Sequence, residues 1–324
     1  MKFMRESLLR LLLGGLLLWQ APAWADWPNK PIQLVVGFPA GGLASNMARV
    51  LADRLGERLG QPVIVDNKTG AGGVIAFNFV RNARADGYTL LFGSNSTMTI
   101  SPAMYAKPPF DSLKDFETIA TAFLVDNVVV VRSDSPLKTF ADFRAAAKAS
   151  GQKINYGSAG IGTTFHLIPE LYSKLDKVSM VHVPYRGGAA VLAGLLAGEV
   201  DIVFGGAETL PFIEAGRMRA LAVLSPQRLK ALPDVPTTAE LGLPALSVRP
   251  FYGMLAPATT PKEIVDRINR EVAAILKTPE VAQFARNVNS DVAPDPSRAY
   301  MTEQIRLESQ RWEPLVKELG IKAE

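Results

Sequence analysis

The stretch VVGFPAGGLASNMAR, residues 35–49, is the part of the sequence that best indicates the fold. Its first residues are apolar and strand-like, and its last residues begin a pattern with helical spacing. Gly41 and Gly42 lie at the junction, and Ser45 stands where a serine caps a helix. A strand that ends in a glycine loop before a helix exposes backbone N–H groups, which is typical of an anion site.

The same order of elements continues downstream. Strand-like runs at residues 31–36, 63–65 and 88–92 alternate with helical patterns, which predicts a βαβαβ unit with a parallel sheet. The order restarts at residues 128–131, and a chain of about 300 mature residues is long enough for two domains. The sequence therefore predicts an α/β protein with two lobes, each a mostly parallel sheet flanked by helices.

The N-terminal residues have the pattern of a secretion signal. Lys2, Arg5 and Arg10 precede the apolar run at residues 11–19, and AWA at residues 23–25 fits a signal peptidase site. The apolar run is shorter than the roughly 20 residues that a membrane-spanning helix needs. We predict that residues 1–25 are a cleaved signal peptide and that the mature protein is periplasmic.

The composition argues against several classes of function. The chain has no cysteine and two histidines, His166 and His182, which stand in no metal-ligand spacing. Removal of the signal takes away three basic residues and one acidic residue, which lowers the formal net charge from +4 to +2. We therefore expect no metal, no cofactor and no nucleic acid. The spacing of Gly37, Gly41 and Gly42 also differs from the dinucleotide fingerprint G-x-G-x-x-G.

Three loops at predicted strand ends carry neutral hydrogen-bond donors. They are FPAGGLAS at residues 38–45, GSNST at residues 93–97 and GSAGIGTT at residues 157–164. Backbone N–H groups and hydroxyls at helix starts bind anions without fixed cations. This balance favours a carboxylate ligand that binds reversibly.

Motifs along the whole mature chain resemble the Bug family, the TctC-like periplasmic receptors of tripartite tricarboxylate transporters. They include WPNKPIQLVVGFPAGG (27–42), GQPVIVDNKTGAGG (60–73), NYGSAGIGTTFHL (155–167), VHVPYRGGAAVLAGLLAGEVDIVF (181–204) and MLAPATTPKEIVDRINREV (254–272). The resemblance implies a two-lobed periplasmic binding protein of type II topology, with crossings near residues 118–127 and 219–250. One lobe would contain residues 26–124 and 250–324, and the other residues 125–249.

The resemblance also implies a binding site and partners. A small carboxylate would be captured between the lobes by a monomeric receptor and delivered to the membrane subunits of the transporter. The residues expected to bind the ligand are Phe38, Ala40, Gly41, Gly42, Ser45, Ser94, Asn95, Ser158, Gly160, Gly162, Thr163, Thr164, Arg186 and Gly205. Arg186 fits a basic position of the family, and it fits a solvated surface charge equally well.

Two departures from the family bear on the ligand. Ser45 replaces an aspartate, and Gly205 with Gly206 replaces an Asp-Asn pair. Both changes remove acidic groups that could bind an amine, which predicts a non-amino carboxylate. They also predict free space at Gly205 and hence a larger ligand, such as an aromatic acid or a dicarboxylate.

Two other functions are compatible with the sequence. A ligand-sensing partner of a membrane sensor kinase would use the same cleft and the same closure. An exported hydrolase would need a nucleophile, for which Ser94 and Ser158 are candidates. Neither serine lies in the G-x-S-x-G spacing of a nucleophile elbow, so the sequence favours a receptor that is not an enzyme.

Overall fold

The structure is a computed structural model that describes residues 27–149 and 153–323, and the predicted signal peptide lies outside these residues. The described strands are β1 (Ile32–Val36), β2 (Val63–Asn67), β3 (Thr89–Ser94), β4 (Phe116–Val125), β5 (Val128–Arg132), β6 (Ile154–Ser158), β7 (Met180–Pro184), β8 (Ile202–Gly205), β9 (Met218–Val223), β10 (Phe251–Pro257) and β11 (Ser290–Val292). The described α-helices are α1 (Leu43–Leu59), α2 (Val74–Arg81), α3 (Phe140–Lys148), α4 (Thr164–Asp176), α5 (Gly188–Ala197), α6 (Leu210–Glu214), α7 (Lys262–Ile275), α8 (Pro279–Asn287) and α9 (Arg298–Glu318).

The strands form two sheets with matching topology. The first has the order β2-β1-β3-β10-β4-β11, and the second has the order β7-β6-β8-β5-β9. In each sheet the first three strands are parallel, and one strand that arrives from the other sheet, β10 or β5, runs antiparallel to its neighbours. The predicted α/β fold with two sheets flanked by helices and two crossings is confirmed, but both sheets are mixed and not mostly parallel, because the crossing strands and the strands beyond them pair antiparallel.

The two crossings make the carboxyl ends of the parallel strands in one sheet face those in the other sheet. The chain leaves the first sheet at the end of β4 and enters the second at the start of β5, so only Asp126 and Asn127 lie between the sheets. It returns from the end of β9 to the start of β10. Because β4 is parallel to β3 and β5 is antiparallel to β8, the carboxyl ends of β1 and β3 face those of β6 and β8.

Burial explains the helix that follows the opening motif. Met47, Leu51 and Leu55 recur on one face of α1, and all three are fully buried against the first sheet. Gly60 ends the helix with a φ of 72°, a left-handed conformation that glycine adopts without strain. The sequence-based prediction of this helix is confirmed.

The C-terminal helix α9 packs on both lobes. Its first turns bury Met301 and Ile305 in the core beside the first sheet. Trp312 and Leu315, near its end, are buried in the core of the second sheet. The lobe boundaries at residues 124 and 250 stay a prediction, and the structure adds that the end of α9 packs with the second lobe.

Candidate ligand-binding site

The loop after β1 lies at the carboxyl end of that strand, where the first sheet faces the second, and its exposed part consists mainly of backbone atoms. A Cβ at Gly37 would lie 2.8 Å from the Cα of Gly73, so the close approach of the two loops requires glycine. Gly41 has a φ of 80°, and Ala40, Gly41 and Gly42 are exposed. Gly42 is the N-cap of α1 and no side chain caps the helix, so the N–H groups of its first turn are open to a ligand.

Ser45 does not cap α1, and that prediction is wrong. Gly42 occupies the N-cap, whereas Ser45 is the third residue of the helix and is fully buried. The Asn67 Nδ2 donates to Ser45 Oγ at 3.1 Å and to the carbonyl of Phe38 at 2.8 Å. Ser45 therefore fixes the loop through Asn67, while its place in the ligand site stays a prediction.

The end of β3 carries an amide without a partner. Ser94 is buried, and its Oγ accepts a hydrogen bond from the N–H of Thr97 at 3.4 Å. Asn95 is fully buried, and neither its Nδ2 nor its Oδ1 has a hydrogen-bond partner. An unpaired buried amide is costly, so this side chain is the strongest candidate on the first lobe for a hydrogen bond to a ligand.

Tyr252 is a further candidate for the site that the sequence reasoning missed. It pairs with Ser94 across the β3–β10 ladder, and its ring stacks on Phe92 with the centroids 6.1 Å apart. Burial, followed by the negative charge of Glu208, raises the pKa of its phenol. In the sequence, Tyr252 is marked only by its place in a strand-like run. Its pairing with Ser94 is long-range and appears only in the folded chain.

The glycine loop of the second lobe also ends in an uncapped helix. Gly160 and Gly162 have φ values of 130° and 75°. The Thr163 Oγ1 donates to the carbonyl of Gly160 at 2.7 Å, and no side chain caps α4, whose N-cap is Thr163. Thr164 is buried as the first residue of the helix. The first N–H groups of α4 are therefore a second set of donors at the facing edge.

Two stacked histidines contact this glycine loop through Ser158 and Gly162. The rings of His166 and His182 lie 4.0 Å apart with an interplanar angle of 8°. The His182 Nε2 lies 2.6 Å from Ser158 Oγ, and the N–H of Gly162 donates to His166 Nδ1 at 3.2 Å. Burial and, to a smaller extent, the charge of His182 lower the pKa of His166 to about 3, and burial lowers that of His182 to about 4. Both rings are therefore neutral at physiological pH.

We expect the folded protein to lose stability in weak acid. The unfolded histidines titrate near 6.5, and the folded pair titrates near 3 and 4, so the unfolded chain binds more protons between these values. The histidine contribution is complete above pH 6.5 and falls by up to about 1.4 kcal/mol per pH unit for each ring. Urea denaturation between pH 7 and pH 4 measures this slope. The H182Q variant should have a shallower slope, and an equal slope would contradict the assignment.

Arg186 is exposed at the tip of the loop after β7. The N–H of Tyr185 donates to the carbonyl of Ser158, and the N–H of Gly187 donates to that of Ala159, so this loop packs beside the glycine loop. Among the described residues, Arg186 has no ion-pair partner within 4.0 Å. Its place in the site stays a prediction, and the alternative of a solvated surface charge stays open.

The free space expected at Gly205 is filled by protein. A Cβ at this buried residue would lie 2.9 Å from the Thr209 Cγ2, and the ring of Phe165 lies beside it and Gly206. A Cβ at Gly206 would lie 2.6 Å from the Glu208 Oε2. The argument for a larger ligand therefore fails. The argument against amines fails too, because Glu208 supplies a carboxylate where the sequence shows two glycines.

Two structural features are absent from the described residues. No group of three or more His, Asp or Glu side chains within residues 27–149 and 153–323 is arranged to hold a metal ion. In the same part of the chain, no helix combines the length and apolar character needed to cross a bilayer.

Comparisons with known proteins agree with this architecture. Residues 47–321 match the family described as "Tripartite tricarboxylate transporter family receptor". The chain is 34% identical to Protein BugT of Bordetella pertussis over 311 residues, with 93% of each chain covered. A protein of R. palustris solved with adipate has a TM-score of 0.84 at 32% identity, covering 92% of this chain and 99% of that one. MatC of Rhodopseudomonas palustris, solved with bound malate, has a TM-score of 0.82 at 28% identity, covering 90% and 100%.

The sequence relatives and the solved structures cover nearly the whole of the described chain, and both sheets contribute to the match. The chain therefore belongs to the tripartite tricarboxylate transporter receptors, the family of solute-binding proteins that its sequence motifs indicate.

Proposed function

We propose that the chain captures a small dicarboxylate between its lobes. The observation that carries the proposal is the convergence of two uncapped helix N-termini, those of α1 and α4, on facing sheet edges beside the unpaired amide of Asn95. Each N-terminus favours negative charge by roughly 0.3–1 kcal/mol at an exposed site and more where water is excluded. Two such donor sets fit a ligand with a carboxylate at each end. The adipate and malate held by the two R. palustris proteins have this form.

Closure of the lobes would complete the site. Asp126 lies in the first crossing and Arg249 in the second, and their bidentate ion pair has distances of 2.6 and 3.1 Å. This ion pair holds the two crossings together. We therefore expect the lobes to close by rotating relative to each other about these two segments. A ligand that contacts both edges stabilises the closed form, because only that form makes both sets of bonds. The closed form is then the one that the membrane subunits of the transporter recognise in the periplasm.

We further propose that the protein is not an enzyme. A hydrolase is favoured by the 2.6 Å contact between Ser158 and His182. Ser158 is fully buried, however, and its Oγ also accepts the N–H of Gly160. No carboxylate bonds the His182 ring within the described chain, and its lowered pKa makes it a weak base. We expect no turnover of esters or amides that the S158A variant would abolish.

Ligand-free mature protein tests the proposal. We expect succinate, malate or adipate at about 100 times its Kd to raise the free energy of unfolding by about 2.7 kcal/mol. Small-angle scattering should show a smaller radius of gyration for the complex, and gel filtration should show a monomer with and without ligand. Adipamide, which has the length of adipate without its charges, is the control. If no carboxylate stabilises the protein, the proposed function is wrong.

A further inference from the structure

Glu208 places a carboxylate at the ligand edge of the second lobe. It lies in the helical turn Ala207–Thr209 that directly follows β8. Its oxygens lie against Gly206 and against Gly188, the first residue of α5, and a Cβ at either glycine would collide with them. The two glycines therefore make room for this side chain, which fixes the carboxylate at the start of α5.

The Glu208 carboxylate lacks a partner. The side chain is half-buried, and among the described residues it has no hydrogen-bond or ion-pair partner. No lysine or arginine is among the groups that act on it, and burial raises its pKa. A partly exposed carboxylate without a protein donor is free to accept a hydrogen bond from a ligand at this edge.

Glu208 lies at the end of the second sheet that faces the first sheet. It follows β8, whose carboxyl end faces that of β3, where Ser94 and Asn95 lie. The negative charge of Glu208 also contributes to the raised pKa of Tyr252, which lies on β10 beside Ser94. A ligand whose carboxylate binds the uncapped helices would extend past Glu208.

We propose that Glu208 determines specificity by accepting a hydrogen bond from a hydroxyl or ammonium group on the carboxylate ligand. This inference rests on the proposed function and names the class of ligand more narrowly. A ligand with such a donor forms a hydrogen bond with this carboxylate, whereas an unsubstituted acid leaves it without a partner. Sites that bind a substrate donor discriminate strongly against analogues that lack it.

Acids that differ at one carbon test the proposal by titration calorimetry. Succinate, malate and aspartate carry hydrogen, hydroxyl and ammonium at the same position, and adipate, 2-hydroxyadipate and 2-aminoadipate form a longer series. We expect the wild-type protein to bind a substituted acid at least about tenfold more tightly than the unsubstituted acid of the same series. The E208L variant should lose this preference.

The E208Q variant distinguishes the two donors. The amide oxygen of glutamine still accepts a hydrogen bond from a hydroxyl, so a preference for a hydroxy acid would largely persist. A preference for an amino acid depends on the negative charge and would disappear. E199Q is the matched control, since Glu199 is an exposed glutamate of the same lobe that accepts from Tyr185 at 2.8 Å. It should leave every affinity unchanged.

Thermal denaturation without ligand gives a second readout. We expect E208Q to leave the Tm at pH 7 nearly unchanged, because the half-buried side chain has no hydrogen-bond or ion-pair partner among the described residues to lose, whereas loss of a purely structural glutamate would lower it. The specificity proposal is overturned if the unsubstituted acids bind as tightly as the substituted ones, or if E208Q and E208L both keep the wild-type preference. Either result leaves the proposed function intact. Failure of every acid to bind overturns both.

Discussion

The G41V variant should lose ligand binding by about 100-fold or more while the protein stays folded. Gly41 has a φ of 80°, where a β-branched side chain is strained, so valine would force the loop into another conformation. The N–H groups before α1 would then point away from the ligand. No atom lies within 4 Å of the Cβ position, so the new side chain has room and the core is not disturbed. Calorimetric titration with malate and adipate measures the loss.

The matched control for this experiment is G60V. Gly60 has a φ of 72° and no atom within 4 Å of its Cβ position, but it lies at the opposite end of α1. Both variants should lose about 1–3 kcal/mol of unfolding free energy through backbone strain. Only G41V should lose affinity. Equal affinities for the two variants would show that the loop after β1 is a turn and not a binding element.

The N95L variant should be more stable than the wild-type protein and should bind ligand at least about tenfold more weakly. Both polar atoms of Asn95 are buried without partners, so an apolar side chain of similar size removes their desolvation cost. We expect the ligand-free protein to gain about 1–2 kcal/mol of unfolding free energy. The same replacement removes the donor that a carboxylate would use. Chemical denaturation and calorimetry on one preparation give both quantities.

T121V separates the two effects. Thr121 is fully buried in β4, and its Oγ1 also lacks a partner, but it lies inside its strand, which β10 separates from β3. The isosteric valine should stabilise the protein and leave the affinity unchanged. If N95L behaves like T121V, the unpaired amide of Asn95 is a feature of the core and has no part in binding.

Local patterns were sufficient for the secondary structure and the order of the lobes. The apolar runs of β1 and β5, the helical spacing of α1 and the glycines at strand ends depend on neighbours within a few residues. Periodicity and loop chemistry therefore report them directly. The two crossings followed from the family resemblance, and the positions of β10 and β11 in the first sheet required the fold, because their pairing partners lie far away in sequence.

The candidate site was predicted only in part, for a related reason. The sequence indicates which loops end at the carboxyl edges, but it does not indicate which side chains fill the space between them. Ser45 was interpreted from its spacing as a cap, and its actual partner is Asn67 on the next strand. The space at Gly205 was judged from the missing side chain alone, although Thr209 and Phe165 occupy it.

The amino-acid sequence alone indicates the alternation of strands and helices, the glycine loops at the strand ends, and a chain without cysteine. The tertiary structure decided that Asn95 is buried without a partner, that Tyr252 lies beside Ser94, and that the carboxylate of Glu208 lies between two glycines of the other lobe. The physical reason is range: backbone conformation follows from neighbouring residues, whereas burial and electrostatic contact depend on elements that only the folded chain brings together.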